Sequence, residues 1–208
     1  MALFADRADA GRDLAAHLEQ WRGSDAVVAG IARGGVVVAA SVAAELTLPL
    51  TAVAVRKLGM PGREEVALGA IAEGVTVIDE RAGGHGAVSE ADLTRIEARE
   101  RAVLARRQEL IRDAVPALDG RAVLLVDDGI ATGSTARAAV RSLRARGAAR
   151  VVLAVPVAPT EWLPEPGSVD EYVCAHPIER LWAVGSYYDD FTQTTDEEVV
   201  RLLRAGGR

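Results

Sequence analysis

Two adjacent acids followed by a hydroxyl-rich loop are the residues of this sequence best suited to chemistry. Asp127 and Asp128 come directly after the apolar run Val123–Val126, and a Thr-Gly-Ser-Thr loop at 132–135 then opens a stretch with helical periodicity. A helix N-terminus offers unpaired N–H groups and a positive dipole end, which suit a phosphate group. Carboxylates at a strand end accept hydrogen bonds from sugar hydroxyls and attract magnesium. Residues 123–135 therefore predict a site for a phosphorylated sugar and Mg²⁺; the alternative is an Asp-Gly turn and a capped helix without a ligand.

A second glycine-rich loop follows the first predicted strand, Val27–Ile31. Arg33 stands directly before Gly34 and Gly35. Successive glycine N–H groups can form an anion-binding concavity, and the guanidinium of Arg33 adds a positive charge. A Gly-Gly pair is also a common way to enter a helix, so this loop indicates an anion site only in combination with residues 123–135.

One lysine stands out because the chain otherwise uses arginine. Lys57 is the only lysine among 24 lysine and arginine residues. A lysine ammonium is a compact, strongly hydrated point charge, which suits contact with an anionic group. Arg56 and Lys57 come directly after the second predicted strand, Leu50–Val55. Chance survival of a surface lysine is the alternative.

Alternating apolar and amphipathic stretches indicate how these loops are positioned. Short apolar runs of strand length alternate with stretches of helical periodicity, which predicts βαβ units and a mainly parallel sheet. Residues 64–79 differ, because two short apolar runs flank Glu73-Gly74 and predict a hairpin. The glycine-rich residues 79–88 predict a mobile loop, and a long charged helix follows to about residue 113.

The overall composition argues against several classes of protein. With 50% hydrophobic and 26% charged residues, the chain has a globular composition. Its formal net charge of -6, without a basic stripe, argues against a nucleic-acid partner. No apolar run approaches the roughly 18 residues of a membrane span. Cys174 is the only cysteine and the first residues lack a secretory pattern, so we expect a cytoplasmic location.

Residues 123–135 resemble the signature of the type I phosphoribosyltransferases. The resemblance implies an α/β fold with a five-stranded, mainly parallel sheet, helices on both faces, a hairpin and a small C-terminal hood. It also implies one domain over 1–208, with the core at about 24–160 and a hood formed by 161–208 together with the N-terminal segment. The donor used by this family is 5-phosphoribosyl-1-pyrophosphate (PRPP) with Mg²⁺. The match implies that the two acids bind the ribose hydroxyls and the metal, and that the loop binds the 5-phosphate. The implied donor contacts are Asp127, Asp128, Ala131, Thr132, Gly133, Ser134 and Thr135.

The loop at 30–35 resembles the pyrophosphate loop of the same family, especially that of its xanthine and guanine members. The match implies that Arg33, Gly34 and Gly35 contact the pyrophosphate of the donor. It also implies a cis peptide bond between Ala32 and Arg33, which this loop often holds in the family.

Residues 56–62 resemble the basic turn of the adenine phosphoribosyltransferases. The match implies that Arg56 and Lys57 face the pyrophosphate. Glu65 lies on the hairpin that could close over the site, and it is a candidate for positioning the acceptor or for taking a proton. A solvated charged turn is the alternative for Glu65.

Residues 182–190 resemble the C-terminal hood of the hypoxanthine–guanine enzymes. By that match Trp182 stacks on a planar acceptor, or else packs in the core, and Asp189 reaches a second magnesium ion or its waters. Two departures argue against a 6-oxopurine acceptor: Ala131 replaces the usual acid, and the strand ending at 155–157 has no lysine. A site that lacks the polar side chains which hydrogen-bond to a base discriminates poorly in favour of that base. We therefore expect an acceptor outside the 6-oxopurines.

The resemblance as a whole implies that a nitrogen nucleophile displaces pyrophosphate from C1 of the ribose. Magnesium, Arg33 and Lys57 would stabilise the leaving pyrophosphate. The expected partners are PRPP and a small nitrogenous acceptor, without nucleic acid or membrane, and a homodimer is left open. One alternative is a PRPP-sensing regulator that binds the donor without transferring it. Another is a nucleotide-binding module with a decayed site, against which the intact acids, phosphate loop and Lys57 argue.

Overall fold

The computed structural model describes residues 2–79, 88–112 and 117–206. In this part of the chain, helices and strands alternate as the sequence predicts for an α/β fold. None of the described helices is both long enough and apolar enough to cross a membrane. In chain order the elements are α1 (Arg7–Ala16), β1 (Val27–Ala32), α2 (Gly34–Leu46), β2 (Leu50–Met60), β3 (Arg63–Ala72), β4 (Val75–Ile78), α3 (Glu90–Ile111), β5 (Ala122–Val126), α4 (Ser134–Ala145), β6 (Arg150–Pro159), β7 (Glu171–Ile178) and α5 (Asp196–Gly206), with short 3₁₀ helices at Glu19–Trp21 and Val184–Tyr187.

Within the described residues, seven strands form one mixed sheet in the order β4-β3-β2-β1-β5-β6-β7. The five strands β2, β1, β5, β6 and β7 run parallel, which confirms the predicted parallel core. The predicted hairpin is also present, with its turn at Glu73-Gly74, and it adds β3 and β4 antiparallel at one edge. The sheet has seven strands rather than five because the hairpin is hydrogen-bonded to β2 and so continues the sheet.

The last parallel strand lies in a part of the chain that the sequence assigns to the hood. β7 pairs with β6 over several residues, with Val155 aligned to Cys174. This strand therefore belongs to the sheet. Residues after Ile178 pack with Phe4 and Ala10 of the N-terminal part, and a hood formed by these segments stays a prediction.

Apolar residues cover both faces of the parallel strands, as expected for a sheet between two helix layers. Successive side chains of β5 point to opposite faces. Leu124 and Val126 pack in one cluster with residues of α1, α2, α3 and α5, whereas Val123 and Leu125 pack with residues of α4. All four side chains are fully buried, and such burial contributes about 1.5–3 kcal/mol for each side chain. The acids that follow β5 are thus held at the end of a rigid strand.

The N-terminal segment packs on the residues that follow β7. Phe4 and Tyr188 form an isolated bridge and share a small apolar cluster with Val157. The N–H groups of Asp189 and Asp190 donate hydrogen bonds to carbonyl groups of this segment. These contacts bring the start of α1 next to the end of β5.

Candidate active site

Residues near the carboxyl ends of β1, β2 and β5 surround one cavity of about 330 Å³. Ligands of open α/β sheets bind at this edge, because the loops that leave neighbouring strands meet there. The structure brings both predicted acids, the predicted phosphate loop, Arg33 and Lys57 together around this cavity. Its described lining consists of Ile31, Ala32, Arg33, Lys57, Ala67, Asp127, Asp128, Gly129, Ile130, Ala131, Thr132, Gly133, Ser134, Thr135 and Val184.

Asp127 and Asp128 lie close together in a buried position. Oδ1 of Asp127 accepts a hydrogen bond from the N–H of Asp128 at 3.0 Å. Burial raises the pKa of Asp127 well above its usual value, and the charge of Asp128 raises it further. Burial also raises the pKa of Asp128, although Arg7 acts in the opposite direction. A cation relieves such repulsion, so the pair suits Mg²⁺, which commonly takes one or two protein carboxylates and completes its shell with substrate oxygens and water.

Arg7 contacts Asp128 from outside the described cavity lining. Its Nε donates to Oδ2 of Asp128 at 2.7 Å, and its Nη1 donates to the carbonyl of Thr192 at 2.9 Å. The guanidinium also lies 3.7 Å from the centroid of the Phe191 ring. The local pattern of α1 gives no sign of this contact, because the partner of Arg7 lies 121 positions away in the sequence.

A glycine and a tryptophan shape the phosphate loop. Gly133 caps α4 with φ +80°, a left-handed conformation that favours glycine. A Cβ atom at Gly133 would lie 2.5 Å from the ring of Trp162, whose Nε1 donates to the carbonyl of Thr132 at 3.4 Å. The hydroxyl oxygens of Thr132 and Ser134 are 3.0 Å apart. The helix N-terminus and these hydroxyls therefore form one compact loop, and Trp162 is a support that the sequence analysis missed.

The loop after β1 reaches the acids through two glycines. The peptide bond between Ala32 and Arg33 is cis, as the sequence predicts. A Cβ atom at Gly34 would lie 2.2 Å from Oδ2 of Asp128, and one at Gly35 would lie 2.8 Å from the carbonyl oxygen of Val126. The two glycines thus allow α2 to approach the end of β5, and they are not part of the described cavity lining. The structure shows this packing role, whereas their contact with an anion stays a prediction.

The predicted basic turn after β2 is wrong, because residues 56–60 continue the strand. Pairing with β3 extends β2 to Met60, and successive strand residues point to opposite sides of a sheet. Lys57 lines the cavity, whereas Arg56 lies against α3 and donates to Oε2 of Glu100 from Nε at 2.8 Å and from Nη2 at 2.6 Å. Glu100 is buried, at 5% exposure. The structure thus brings Lys57 but not Arg56 to the predicted pyrophosphate site.

The sequence matches the family model of the phosphoribosyl transferase domain over residues 4–189. This span includes both acids, the phosphate loop and the loop after β1. The chain belongs to this family. The type I fold predicted from residues 123–135 is therefore confirmed, and the cavity lies at the edge of the sheet where open α/β folds bind their ligands.

Individual relatives agree with this assignment. A Mycobacterium tuberculosis H37Rv protein named "Putative phosphoribosyl transferase Rv0571c" is 46% identical over 208 residues, which cover 98% of this chain and 47% of that protein. The chain thus spans about half the length of the curated relatives it matches. The crystal structure of TT1426 from Thermus thermophilus is 40% identical, covers 100% of both chains and has a TM-score of 0.74. A hypothetical protein from Neisseria gonorrhoeae, solved with bound ppGpp, shares the fold at 19% identity, with 96% and 92% of the two chains covered and a TM-score of 0.53.

Two predicted hood residues of this phosphoribosyl transferase domain lie at the surface. Trp182 is 93% exposed, so the alternative that it packs in the core is wrong, and it is not part of the described cavity lining. Asp189 is exposed, and its N–H donates to the carbonyl of Phe4. Within the described ranges, no group of three or more His, Cys, Asp or Glu side chains could hold a metal ion. Stacking by Trp182 and a metal contact by Asp189 stay predictions.

Two further predictions fall on parts of the domain that the structure does not describe. The backbone of Glu65 belongs to β3, but its side chain lies outside the described part, so its contact with the acceptor stays a prediction. Residues 80–87 of the predicted mobile loop also lie outside the described residues. Ala67 of β3 lines the cavity, so the hairpin contributes at least one wall.

Arg56→Met is expected to lower the free energy of unfolding by about 1.5–3 kcal/mol, the range for hydrogen bonds to charged groups. The buried carboxylate of Glu100 would lose two donors, although Arg99 still pairs with its other oxygen. Urea denaturation measures the change. The matched control is Arg95→Met on the same helix as Glu100, where the arginine is 78% exposed and pairs with Asp92; an exposed pair contributes at most about 1 kcal/mol. Equal losses in the two variants would contradict the structural role of Arg56.

Proposed function

We propose that this chain is a magnesium-dependent transferase that moves the 5-phosphoribosyl group of PRPP to a nitrogenous acceptor and releases pyrophosphate. The observation that carries the proposal is that two buried acids, a phosphate loop and two cationic side chains line the same cavity. The family assignment supports the donor, since the matched span, residues 4–189, includes the whole described lining of this cavity. The acceptor is a separate question, because the donor motif as a whole says little about it.

The residues of the cavity divide into three groups around the donor. Residues 131–135 at the N-terminus of α4 hold the 5-phosphate by N–H groups and hydroxyls. Asp127 and Asp128 accept hydrogen bonds from the ribose hydroxyls. Arg33, which follows β1, and Lys57, which lies on β2, face the pyrophosphate. This order follows the cavity wall from β5 across β1 to β2.

The two acids and the donor oxygens together would hold Mg²⁺. When bound, magnesium supplies positive charge to the phosphate oxygens and so assists departure of the pyrophosphate. Arg33 and Lys57 stabilise the negative charge that develops on the same leaving group. The bond between C1 and the pyrophosphate oxygen breaks, a bond between C1 and the acceptor nitrogen forms, and the acceptor proton passes to a base, for which Glu65 is the candidate. The hairpin that contributes Ala67 to the wall excludes water from the reacting C1.

None of hypoxanthine, guanine and xanthine is expected to be an efficient acceptor. Two features of the 6-oxopurine enzymes are missing here: Ala131, which lines the cavity, replaces the acid, and β6, which runs to Pro159, contains no lysine. The check is nucleotide formation from each oxopurine with magnesium–PRPP. We expect kcat/KM values well below about 10⁴ M⁻¹s⁻¹, near the lower end for enzymes on their own substrates. A value at or above that level for any of the three bases would contradict this expectation.

A screen for pyrophosphate release tests the proposed reaction. The wild-type chain is incubated with PRPP, MgCl₂ and single members of a panel of nitrogenous acceptors, and released pyrophosphate is measured. Release that depends on both the acceptor and the chain supports transfer. PRPP binding without acceptor-dependent release across the panel would instead favour a PRPP-sensing regulator.

The matched control for this screen is the Asp127→Asn, Asp128→Asn double variant, which lacks both proposed ribose acids. Equal pyrophosphate release by this variant and the wild-type chain would assign the signal to a contaminating activity, and the proposed reaction would then lack support.

A further inference from the structure

Arg7 joins the donor site to two other parts of the molecule. Its Nε lies 2.7 Å from Oδ2 of Asp128, and the two side chains are only 11% and 17% exposed. The same guanidinium donates to the carbonyl of Thr192 and stacks on Phe191. One buried side chain therefore connects the start of α1, the acid at the end of β5 and the segment before α5.

The fold leaves room for this ion pair at Gly34. A Cβ atom at this position would lie 2.2 Å from Oδ2 of Asp128 and 2.8 Å from Nε of Arg7. Neither atom can withdraw easily, because both side chains are largely buried and the guanidinium is held at two further points. Any side chain at Gly34 would push Arg7 and Asp128 apart.

The ion pair holds one oxygen of Asp128 from outside the described cavity lining. Oδ2 is held by Arg7, which is not part of the described cavity lining, whereas Asp128 itself lines the cavity. The main chain of Asp128 is held as well, because its carbonyl accepts a hydrogen bond from the hydroxyl of Tyr188 at 2.6 Å. A carboxylate fixed at its backbone and at one oxygen presents the other oxygen in a defined direction, which binding sites require of the residues that contact a ligand.

We propose that Arg7 is a positioning residue of the donor site, which fixes Oδ2 of Asp128 so that Oδ1 is presented to the ribose hydroxyls of PRPP. The inference rests on the proposed function, because it concerns how Asp128 meets the donor. Arg7 acts through Asp128 and does not itself touch PRPP. Its removal therefore weakens donor binding only while residue 128 is a carboxylate.

A double-mutant cycle between Arg7 and Asp128 tests this coupling, since residues that act through one contact are not additive. The full chain and the variants Arg7→Met, Asp128→Asn and their combination are titrated calorimetrically with PRPP in excess MgCl₂. We expect Arg7→Met to raise the Kd at least about tenfold in the wild-type background, as for the loss of a charge-assisted contact. In the Asp128→Asn background the same change is expected to alter the Kd by less than about twofold, which is the range of additivity error.

Three further variants separate positioning from a general effect on the fold. Arg12→Met is the matched control on α1, where the arginine is 54% exposed and pairs with Asp9, and it should leave the Kd unchanged. Arg7→Lys keeps the positive charge but lacks the planar guanidinium group, so its affinity for PRPP should lie between those of Arg7→Met and the wild-type chain. Gly34→Ala retains Arg7 but displaces it from Asp128, so this variant should weaken PRPP binding as Arg7→Met does. If thermal unfolding shows that Arg7→Met does not fold, Gly34→Ala replaces it as the test of the ion pair.

Each outcome of these titrations decides the inference. Wild-type affinity in Arg7→Met and Gly34→Ala would overturn it, and so would an equal loss on Arg7→Met with and without the carboxylate of Asp128. A wild-type chain that fails to bind PRPP would overturn the proposed function and this inference with it. If the wild-type chain binds PRPP and the Arg7 variants bind it equally well, only this inference is overturned and the proposed function stands.

Discussion

Magnesium–PRPP is expected to bind the Asp127→Asn, Asp128→Asn double variant at least about a hundredfold more weakly than the wild-type chain. Each hydrogen bond to a charged group contributes about 1.5–3 kcal/mol, so the loss of two corresponds to a factor of about 10²–10⁴ in the Kd. Asparagine keeps the shape of the side chain, and at position 127 its oxygen can still accept the N–H of residue 128. Calorimetric titration measures the change, and an unchanged Kd would contradict the assignment of the two acids.

A stability measurement separates this loss of binding from misfolding. Burial and the charge of Asp128 raise the pKa of Asp127, so the ionised form costs stability in the folded chain at neutral pH. The single variant Asp127→Asn removes that charge and is expected to unfold at the same temperature as the wild type or higher. A folded Asp127→Asn chain with weakened PRPP binding would show that the carboxylate acts on the ligand. A strongly lowered unfolding temperature would instead indicate a structural role.

Lys57→Ala is expected to reduce kcat by about 10²–10³-fold, the effect of removing one group that stabilises charge in a transition state. Lys57 lies on β2 and lines the cavity, and β2 pairs with β1, which Arg33 follows. Its ammonium would act on the leaving pyrophosphate and not on the acceptor. The ratio of kcat/KM between two acceptors is therefore expected to stay the same while both values fall.

The conservative variant Lys57→Arg distinguishes charge from shape at this position. It keeps the positive charge with a wider head group, so we expect part of the lost turnover to return. Turnover and the acceptor ratio are measured in the same pyrophosphate-release assay. A Lys57→Ala chain with wild-type turnover, or with an altered preference between acceptors, would contradict the proposed contact with pyrophosphate.

Features set by neighbouring residues could be predicted from the sequence. The strands β1 and β5 are apolar throughout because both faces are covered by helices, and such runs are visible without a structure. The candidate donor site could be located for a related reason. The two acids and the loop that follows them lie together in residues 127–135, so one short segment contains most of the residues on which that prediction depends.

Features set by distant residues could not be predicted in this way. Arg7 is 121 positions from the acid it holds, and Trp162 supports the phosphate loop from the segment after β6. The basic turn at residues 56–62 is predicted from a resemblance over a few neighbouring residues, which does not show how those residues pair. Hydrogen bonds to β3 extend the strand to Met60, since pairing with a neighbouring strand depends on residues outside that segment.

Titration of the wild-type chain with PRPP, in the presence and in the absence of Mg²⁺, shows directly whether the cavity binds the donor with the metal. We expect one saturable PRPP site per chain that requires Mg²⁺, and competition at that site by both pyrophosphate and ribose 5-phosphate. Competition by both compounds is expected because, in the proposed arrangement, Lys57 and the loop at 131–135, which both line the cavity, would hold opposite ends of the donor. No saturable binding, or binding of equal strength after removal of Mg²⁺ with a chelator, would contradict this expectation.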